Sequence, residues 1–307
     1  MLNVAILGCG RWGQNHLRTL SKLRDEGLVK SITVIDTSKE ARDGASKADI
    51  TTNSIDDVEA DLVIIATPSN LHANQARELM SKGYHVLVEK PLACCESEAA
   101  QVLASAHENG RVLGVGLLLR FHPAVNLAKK VLRNGELGRL ESLRFVRRTT
   151  RKPPIDGNVI ESLGVHAIDL MCHMLSESDP SAVHVEGDST EARIVLEFPH
   201  GIEALIDVGW GASSERRTVT LVGSQATFRF DLDVHDKATM IVDDEQRVLY
   251  CEAAHSPLES EIRHILSAVS AHNSGDSWKV FPDYGAALRG VRWTERAIQA
   301  LPISRPH

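Results

Sequence analysis

The first segment of the chain that could do chemistry is glycine-rich and reads Gly8-Cys9-Gly10-Arg11-Trp12-Gly13, directly after an apolar run. Its G-x-G-x-x-G spacing suits a dinucleotide. The first glycine permits a tight turn, the second lets backbone approach a pyrophosphate, and the third lets a helix pack closely on a strand. The alternative is a tight turn that binds nothing. Seated at the end of a strand, the segment predicts a dinucleotide site that includes Gly8, Gly10, Arg11, Trp12 and Gly13.

Asp36 provides the carboxylate that a dinucleotide site uses to bind the adenosine ribose. Asp36 ends the next apolar run, at the distance of about 20 residues at which an acidic side chain accepts hydrogen bonds from the adenosine ribose. A carboxylate there would repel a 2′-phosphate, so Asp36 favours NAD as the cofactor over NADP. Lys39 and Arg42 lie close by in sequence and weaken that preference.

Two further strand ends carry polar residues. Ligands of open α/β sheets lie outside the carboxyl ends of the strands, so these residues are expected to line the cofactor. They are Thr67, Pro68, Asn70 and His72 after one apolar run, and Glu89 and Lys90 after the next. Thr67 to Asn70 also fits a simple turn and helix cap.

The elements that must position these residues follow from hydrophobic periodicity. Short β-branched runs alternate with amphipathic stretches up to residue 119, which predicts a parallel sheet covered by helices on both faces. After Arg120 come two helices and a series of closely spaced strands, which predict a mostly antiparallel open sheet. The fold class is therefore α/β, with a Rossmann domain over 1–119 and a second α+β domain over 120–307.

Composition narrows the classes of function. The 307 residues carry a net charge of −7 and only 4% aromatics, which disfavours nucleic acid as a partner. The longest apolar stretch is far too short to span a bilayer, and the N-terminus lacks a signal-peptide pattern. The 5 cysteines have no metal-type or disulfide-type spacing, so a reducing cytoplasm is expected.

Taken together, the motifs resemble the glucose-fructose oxidoreductase / inositol dehydrogenase family (Gfo/Idh/MocA). The resemblance runs over nearly the whole chain. The motifs that carry it are the glycine turn, the loop 66–72, Glu89-Lys90-Pro91, Gly116-x-x-x-Arg120-Phe121-His122-Pro123, Gly164-x-His166-x-x-Asp169, Val222-Gly223-Ser224 and Pro257-Leu258-x-x-Glu261.

The resemblance implies an NAD(P)-dependent oxidoreductase that moves a hydride between nicotinamide and a secondary hydroxyl of a sugar or nucleotide sugar. It implies that Lys90 contacts the substrate hydroxyl, that His166 is the general acid/base, and that the chain forms a homo-oligomer, either a dimer or a tetramer. A histidine is suited to removing the hydroxyl proton, and a lysine ammonium stabilises developing alkoxide charge. Arg120 and His122 are expected among the substrate-binding residues.

One position departs from the family pattern. An aspartate is usual four residues before the histidine, and this chain has Ser162 there. Ser162 is still expected to line the substrate site, and activity is expected because Lys90 and His166 remain. The departure keeps open a non-catalytic, dinucleotide-sensing protein on the same scaffold.

Three local patterns have competing interpretations. Five cations at 144, 147, 148, 151 and 152 are either a solvated strand end or an anion subsite containing Arg147, as a nucleotide sugar would need. A small polyol, inositol or free sugar is the alternative substrate. His166, Asp169 and His173 share a helix face but are expected to bind no metal, and Cys94-Cys95 is expected to pack rather than to do redox chemistry.

Overall fold

The computed structural model describes residues 1–56, 58–155 and 157–302. The chain divides into two compact units, the first formed by Met1–Leu117 with Leu258–Val291, and the second by Leu118–Pro257 with Arg292–His307. Among the described residues, no helix is long and apolar enough to cross a membrane.

The first unit is built on a six-stranded sheet in the order β3-β2-β1-β4-β5-β6, and all its strand pairs are parallel. Its strands are β1 Leu2–Leu7, β2 Val29–Ile35, β3 Ile50–Thr52, β4 Leu62–Ile65, β5 His85–Glu89 and β6 Leu113–Gly116. Its helices are α1 Arg11–Asp25, α2 Lys39–Asp43, α3 Ser69–Ser81, α4 Glu96–Glu108 and α7 Pro257–Asn273, joined by the first half of α8 Tyr284–Gln299. This is the dinucleotide-binding strand order, which confirms the Rossmann prediction.

Burial on both faces of this sheet explains why its strands are continuous apolar runs. Every residue of β4 and β5 is buried, so neither strand shows the alternation of a half-exposed sheet. One face packs Val4 and Ile6 against Leu17 and Leu20 of α1, and the other packs Ile65 and Val88 against α3 and α4.

The second unit carries an eight-stranded sheet in the order β14-β13-β12-β11-β7-β10-β9-β8. Its strands are β7 Leu140–Arg148, β8 Ala182–Gly187, β9 Glu191–Phe198, β10 Ile202–Gly209, β11 Arg216–Gly223, β12 Thr227–Asp231, β13 Lys237–Val242 and β14 Glu245–Tyr250. Only β7 and β10 pair in parallel. The mostly antiparallel sheet is confirmed, and helices α5 Pro123–Arg133 and α6 Val165–Met174 contribute to its core.

The returning segment of the chain differs from the sequence boundary. The sequence pattern predicts residues 258–291 in the second domain, whereas they cluster with the first unit. The physical reason is the apolar face of α7, where Ile262, Ile265 and Val269 join the cluster of Val4 and Ile6.

Candidate functional site

The glycine turn is shaped by contacts that exclude side chains. Gly8 has φ +92°, in the left-handed region that favours glycine, and its amide donates to the carbonyl of Ile35 at 2.8 Å. A Cβ on Gly13 would lie 2.1 Å from the Gly8 oxygen, so helix α1 can approach the turn only because residue 13 is glycine.

Gly10 differs from its two neighbours because nothing lies within 4 Å of the place where its Cβ would be. It is also the N-cap of α1, and no side chain caps that helix end. The backbone donors and the partial positive charge of a helix N-terminus suit a phosphate group. The turn therefore fits a dinucleotide pyrophosphate, and Gly10 leaves the space that such a group would take.

Gly10 and Gly13 make a matched pair for testing this arrangement. We expect Gly10→Ala to unfold near the wild-type temperature but to bind NAD at least about tenfold more weakly, because its methyl group enters cofactor space without touching protein. Gly13→Ala should lower the melting temperature, because its Cβ meets backbone. Thermal unfolding with and without NAD measures both the melting temperature and the NAD affinity of each variant. Unchanged NAD affinity in Gly10→Ala would contradict the placement of the cofactor at Gly10.

Asp36 lies at the carboxyl end of β2 and is tied to the turn. One carboxylate oxygen accepts from the amide of Cys9 at 2.7 Å, and the other accepts from the amide of Ser38 at 2.8 Å. Arg11 is exposed and Trp12 is half-buried in the first turn of α1. These positions suit contact with a cofactor.

The two nearby cations are already engaged. Arg42 donates to the backbone carbonyls of Asp36 at 2.6 Å and Thr37 at 3.0 Å, and Lys39 pairs with Asp43 at 2.8 Å.

The loop after β4 presents only part of what its sequence suggested. Pro68 and Asn70 are exposed at the start of α3, and Thr67 is half-buried, with its hydroxyl 2.6 Å from Gln75 Oε1. His72 is buried, and its ring nitrogens lie 2.7 Å from the Pro91 carbonyl oxygen and 2.9 Å from that of Thr67. The ring of His72 thus joins two turns instead of lining the cofactor space as predicted, because both its polar atoms face backbone.

Glu89 and Lys90 end β5 in different environments. Glu89 is buried, and its Oε1 lies 2.8 Å from Nε2 of buried His16 on α1. Lys90 is half-buried and its amide donates to Glu89 Oε2 at 3.3 Å. Both carboxylate oxygens of Glu89 are therefore engaged within the protein, and its predicted cofactor contact stays a prediction. His16 was missed, although a histidine in the apolar stripe of α1 was the available signal.

In the second unit, His166 stands near the start of α6 and is 4% exposed. The turn before it, Ile160–Gly164, is π-helical, where sequence periodicity predicts an ordinary helix from about 162. Single π-helical turns are frequent at functional sites. Ser162 is half-buried within this turn, and its amide donates to the Asn158 carbonyl at 3.0 Å.

Arg120 has a different place from the substrate contact predicted for it. Its side chain is 1% exposed, and its guanidinium donates to both oxygens of Asp169 at 2.7–3.1 Å and to Glu177 at 2.7 Å. His173 Nδ1 lies 3.0 Å from Arg120 Nη1 and 2.7 Å from Glu177. A buried guanidinium must be paired, so Arg120 anchors α6, the helix that carries His166.

His122 also has a structural position instead of the predicted substrate contact. It is fully buried, and its Nδ1 accepts the amide of Ala124 at 3.2 Å, which caps α5. Burial and the neighbouring His235 lower the pKa of His122 to about 4. The ring is therefore neutral near pH 7, as a buried helix cap requires.

The basic stretch is divided between the two faces of the sheet. Strand alternation puts Arg147 on the same face as core residues Leu143 and Phe145, and Arg148 on the other. Arg148 pairs with Glu191 and Asp207. Of the five cations, Arg144 and Arg148 therefore share one face of β7 and Arg147 lies on the other, while Arg151 and Lys152 are exposed after the strand.

The helix face of α6 and the cysteine pair have the following surroundings in the structure. Within the described residues no group of three metal-type ligands occurs, and Asp169 and His173 instead contact Arg120. Cys94 is exposed, so the prediction that it packs is wrong for this residue, because it precedes the half-buried Cys95 at the N-cap of α4.

Comparisons with known proteins agree with this architecture. Residues 2–117 match the family described as "Oxidoreductase family, NAD-binding Rossmann fold", and residues 125–229 match the "GFO/IDH/MocA C-terminal domain". Inositol 2-dehydrogenase 2 of Saccharopolyspora erythraea is 30% identical over 260 residues, which cover 78% of this chain and 75% of that protein.

Two solved structures share the fold. UDP-N-acetylglucosamine 3-dehydrogenase GnnA from Acidithiobacillus ferrooxidans superposes with a TM-score of 0.84 at 23% identity, over 98% of this chain and 97% of that one. KijD10, a 3-ketoreductase from Actinomadura kijaniata in complex with TDP-benzene and NADP, superposes with a TM-score of 0.85 at 17% identity, over 98% of each chain. On its sequence relatives and family matches, the chain belongs to the Gfo/Idh/MocA oxidoreductases with an NAD(P)-binding Rossmann domain.

Proposed function

We propose that the protein is an NAD-dependent dehydrogenase that oxidises a secondary hydroxyl of a sugar or nucleotide sugar. The observation that carries the proposal is the turn at Gly8–Gly13, which leaves open space at Gly10 beside the Asp36 carboxylate. When bound, the nicotinamide accepts the hydride. The remaining work, which is to orient the hydroxyl and take its proton, falls to side chains of this chain.

Lys90 and His166 are proposed for those two roles. Lys90, after β5, would donate to the hydroxyl oxygen and stabilise negative charge as the C–H bond breaks. His166 would accept the hydroxyl proton as a general base, a role suited to imidazole near neutral pH. The Arg120–Asp169 ion pair one turn further along α6 supports His166 by fixing the helix.

NAD is the proposed cofactor over NADP. Asp36 would meet a 2′-phosphate with like charge, and Arg42 and Lys39, which could offset that repulsion, are engaged with backbone carbonyls and with Asp43. NAD should therefore bind more tightly than NADP, and Asp36→Ala should reduce the difference between the two dissociation constants.

A nucleotide sugar is the finer substrate proposal, and Arg147 is its basis because a guanidinium matches phosphate geometry. We expect Arg147→Ala to raise KM for a nucleotide sugar about tenfold, with little change for a free sugar or inositol. Arg148→Ala is the matched control and should leave both KM values near wild type, because its partners Glu191 and Asp207 lie on the opposite face. Equal effects of the two variants, or no effect, would favour a small polyol substrate.

The ligand class is tested by thermal unfolding over a panel of inositols, free sugars and nucleotide sugars, each with NAD present. A substrate stabilises the native state by mass action, so one class should raise the melting temperature only in the presence of NAD. NAD binding with no response and no turnover across the panel would favour the non-catalytic, dinucleotide-sensing alternative.

Assembly and location complete the proposal. A homo-oligomer formed through the open sheet is supported by the half-buried Val195 and Leu205, which stand opposite each other on the face away from the core. Light scattering would report a dimer or tetramer. A cytoplasmic location is supported by the 5 cysteines, which have no disulfide-type spacing in the sequence.

A further inference from the structure

A buried carboxyl group in the first unit has no role in the chemistry proposed above. Glu261 on α7 is 2% exposed, and neither of its carboxyl oxygens has a hydrogen-bond partner among the described residues. Buried polar atoms are nearly always satisfied, and an isolated buried carboxylate is strongly disfavoured. Glu261 therefore needs a physical explanation.

The packing of α7 places Glu261 over the end of β5. A Cβ on Gly114 of β6 would lie 2.8 Å from Ile265 Cδ1, so α7 rests directly on that glycine. Glu261 precedes Ile265 by one helical turn and shares its face. One turn of α7, from Ile265 to Glu261, corresponds to two residues of β6, from Gly114 to Gly116. Gly116 pairs with Glu89 of β5. A Cβ on Gly116 would in turn lie 3.2 Å from Glu89 Oε2.

Glu89 is already occupied as a hydrogen-bond acceptor. Its Oε1 contacts Nε2 of His16 at 2.8 Å, and its Oε2 accepts from the amide of Lys90 at 3.3 Å. Elsewhere on α7, Glu259 is directed away from this pair, toward Lys22 at 2.7 Å and Arg263 at 2.8 Å. Within the described residues, Glu89 is the charged group that acts on Glu261, and His16 contacts Glu89.

We propose that Glu261 is held as a neutral carboxylic acid close to Glu89, and that this pair of acids positions the turn carrying Lys90. Burial raises the pKa of Glu261 well above its usual value, and the charge of Glu89 raises it further. Two carboxylates in one apolar site cannot both ionise at low cost. Ionisation of Glu261 would push Glu89 away from the Lys90 amide and loosen the turn.

The pH dependence of stability tests the protonation directly. A raised native pKa means that the folded state binds more protons, so the wild type loses stability relative to Glu261→Gln as pH rises above the ordinary glutamate value of about 4.3. The melting temperature of Glu261→Gln minus that of wild type should therefore increase between pH 5 and 8, by at least about 2 °C.

Glu259→Gln is the matched control on the same helix, because its carboxylate is paired. Its melting temperature should lie below that of wild type near neutral pH, and the gap between the two should not narrow as pH rises. A Glu261→Gln difference that stays flat or falls with pH would overturn the protonation proposal, even if the variant packs less well at every pH.

Infrared spectra give a second readout that needs no activity. The wild type at pH 7 should show a buried carboxylic acid carbonyl band that Glu261→Gln lacks and Glu259→Gln retains. A spectrum without that band would contradict the proposal.

The positioning role rests on the proposed function and is tested by turnover. Glu261→Leu should lower kcat and leave NAD affinity unchanged, while Glu261→Gln, which is neutral and has the same shape as the protonated glutamate, should keep most of the wild-type kcat. Unchanged kcat in Glu261→Leu would overturn the positioning role. If no sugar is oxidised by the wild type, the proposed function fails, while the melting and infrared results still decide the protonation.

Discussion

Replacement of His166 by alanine is expected to lower turnover by about 10²–10⁴-fold, the usual contribution of a general acid or base. The hydroxyl proton would then pass to water instead of to a side chain held on α6. NAD affinity should stay within about twofold of wild type, because the cofactor is proposed to bind through the glycine turn and Asp36 of the first unit. Steady-state rates and NAD titration of the same preparation measure both quantities.

The pH profile separates the base from a structural role. In the wild type, kcat/KM should fall as pH drops through the ionisation of the base, and this limb should be absent or displaced in His166→Ala. His166→Asn serves as a control of similar shape that cannot accept the proton. A turnover loss with an unchanged acidic limb would assign His166 to packing, and an unchanged rate would remove it from the mechanism.

Loss of Asp169 is expected to cost about 3–5 kcal/mol of folding stability, because Arg120 would remain buried without its main partner. The ion pair is bidentate and almost fully buried. Asp169→Ala should therefore lower the melting temperature by roughly 10 °C. Asp43→Ala removes an exposed pair with Lys39 and should cost no more than about 1 kcal/mol. Equal losses in the two variants would contradict the anchoring role of Arg120.

The same cluster predicts acid sensitivity. Burial works to raise the pKa of Glu177, but hydrogen bonds from His173 and Arg120 hold it well below the usual value. A lowered native pKa means that the stabilisation is present above the unfolded value of about 4.3 and is lost as pH falls toward the native pKa. This acid-dependent loss should shrink in Glu177→Gln.

The local sequence was enough to find most elements. Hydrophobic alternation predicts a strand over Leu140–Arg148, which are the bounds of β7, and the glycine spacing locates the turn before α1. Both signals depend on neighbours along the chain, and therefore need no knowledge of tertiary contacts.

Other features depend on contacts between distant segments. The apolar stripe of α7 fits either unit equally well by periodicity, and only its packing on Gly114 decides the question. Arg120 and His122 have residue types that suit a substrate site, but burial commits them to Asp169 and to the cap of α5. Glu261 stands out in the sequence only as part of the Pro257-Leu258-x-x-Glu261 motif, and its lack of a hydrogen-bond partner is visible only once the fold surrounds it.

The formation of deuterated NADH tests the proposed roles of Lys90 and His166 in hydride transfer. Wild type, Lys90→Ala and His166→Ala are each incubated with NAD and, in turn, with inositols, free sugars and nucleotide sugars deuterated at the carbon to be oxidised. One class of substrate should yield deuterated NADH at least about 10²-fold faster with the wild type than with either variant, and both variants should still bind NAD. NAD binding by the wild type without any transfer of deuterium, or equal rates of transfer in all three proteins, would contradict the proposed roles of Lys90 and His166.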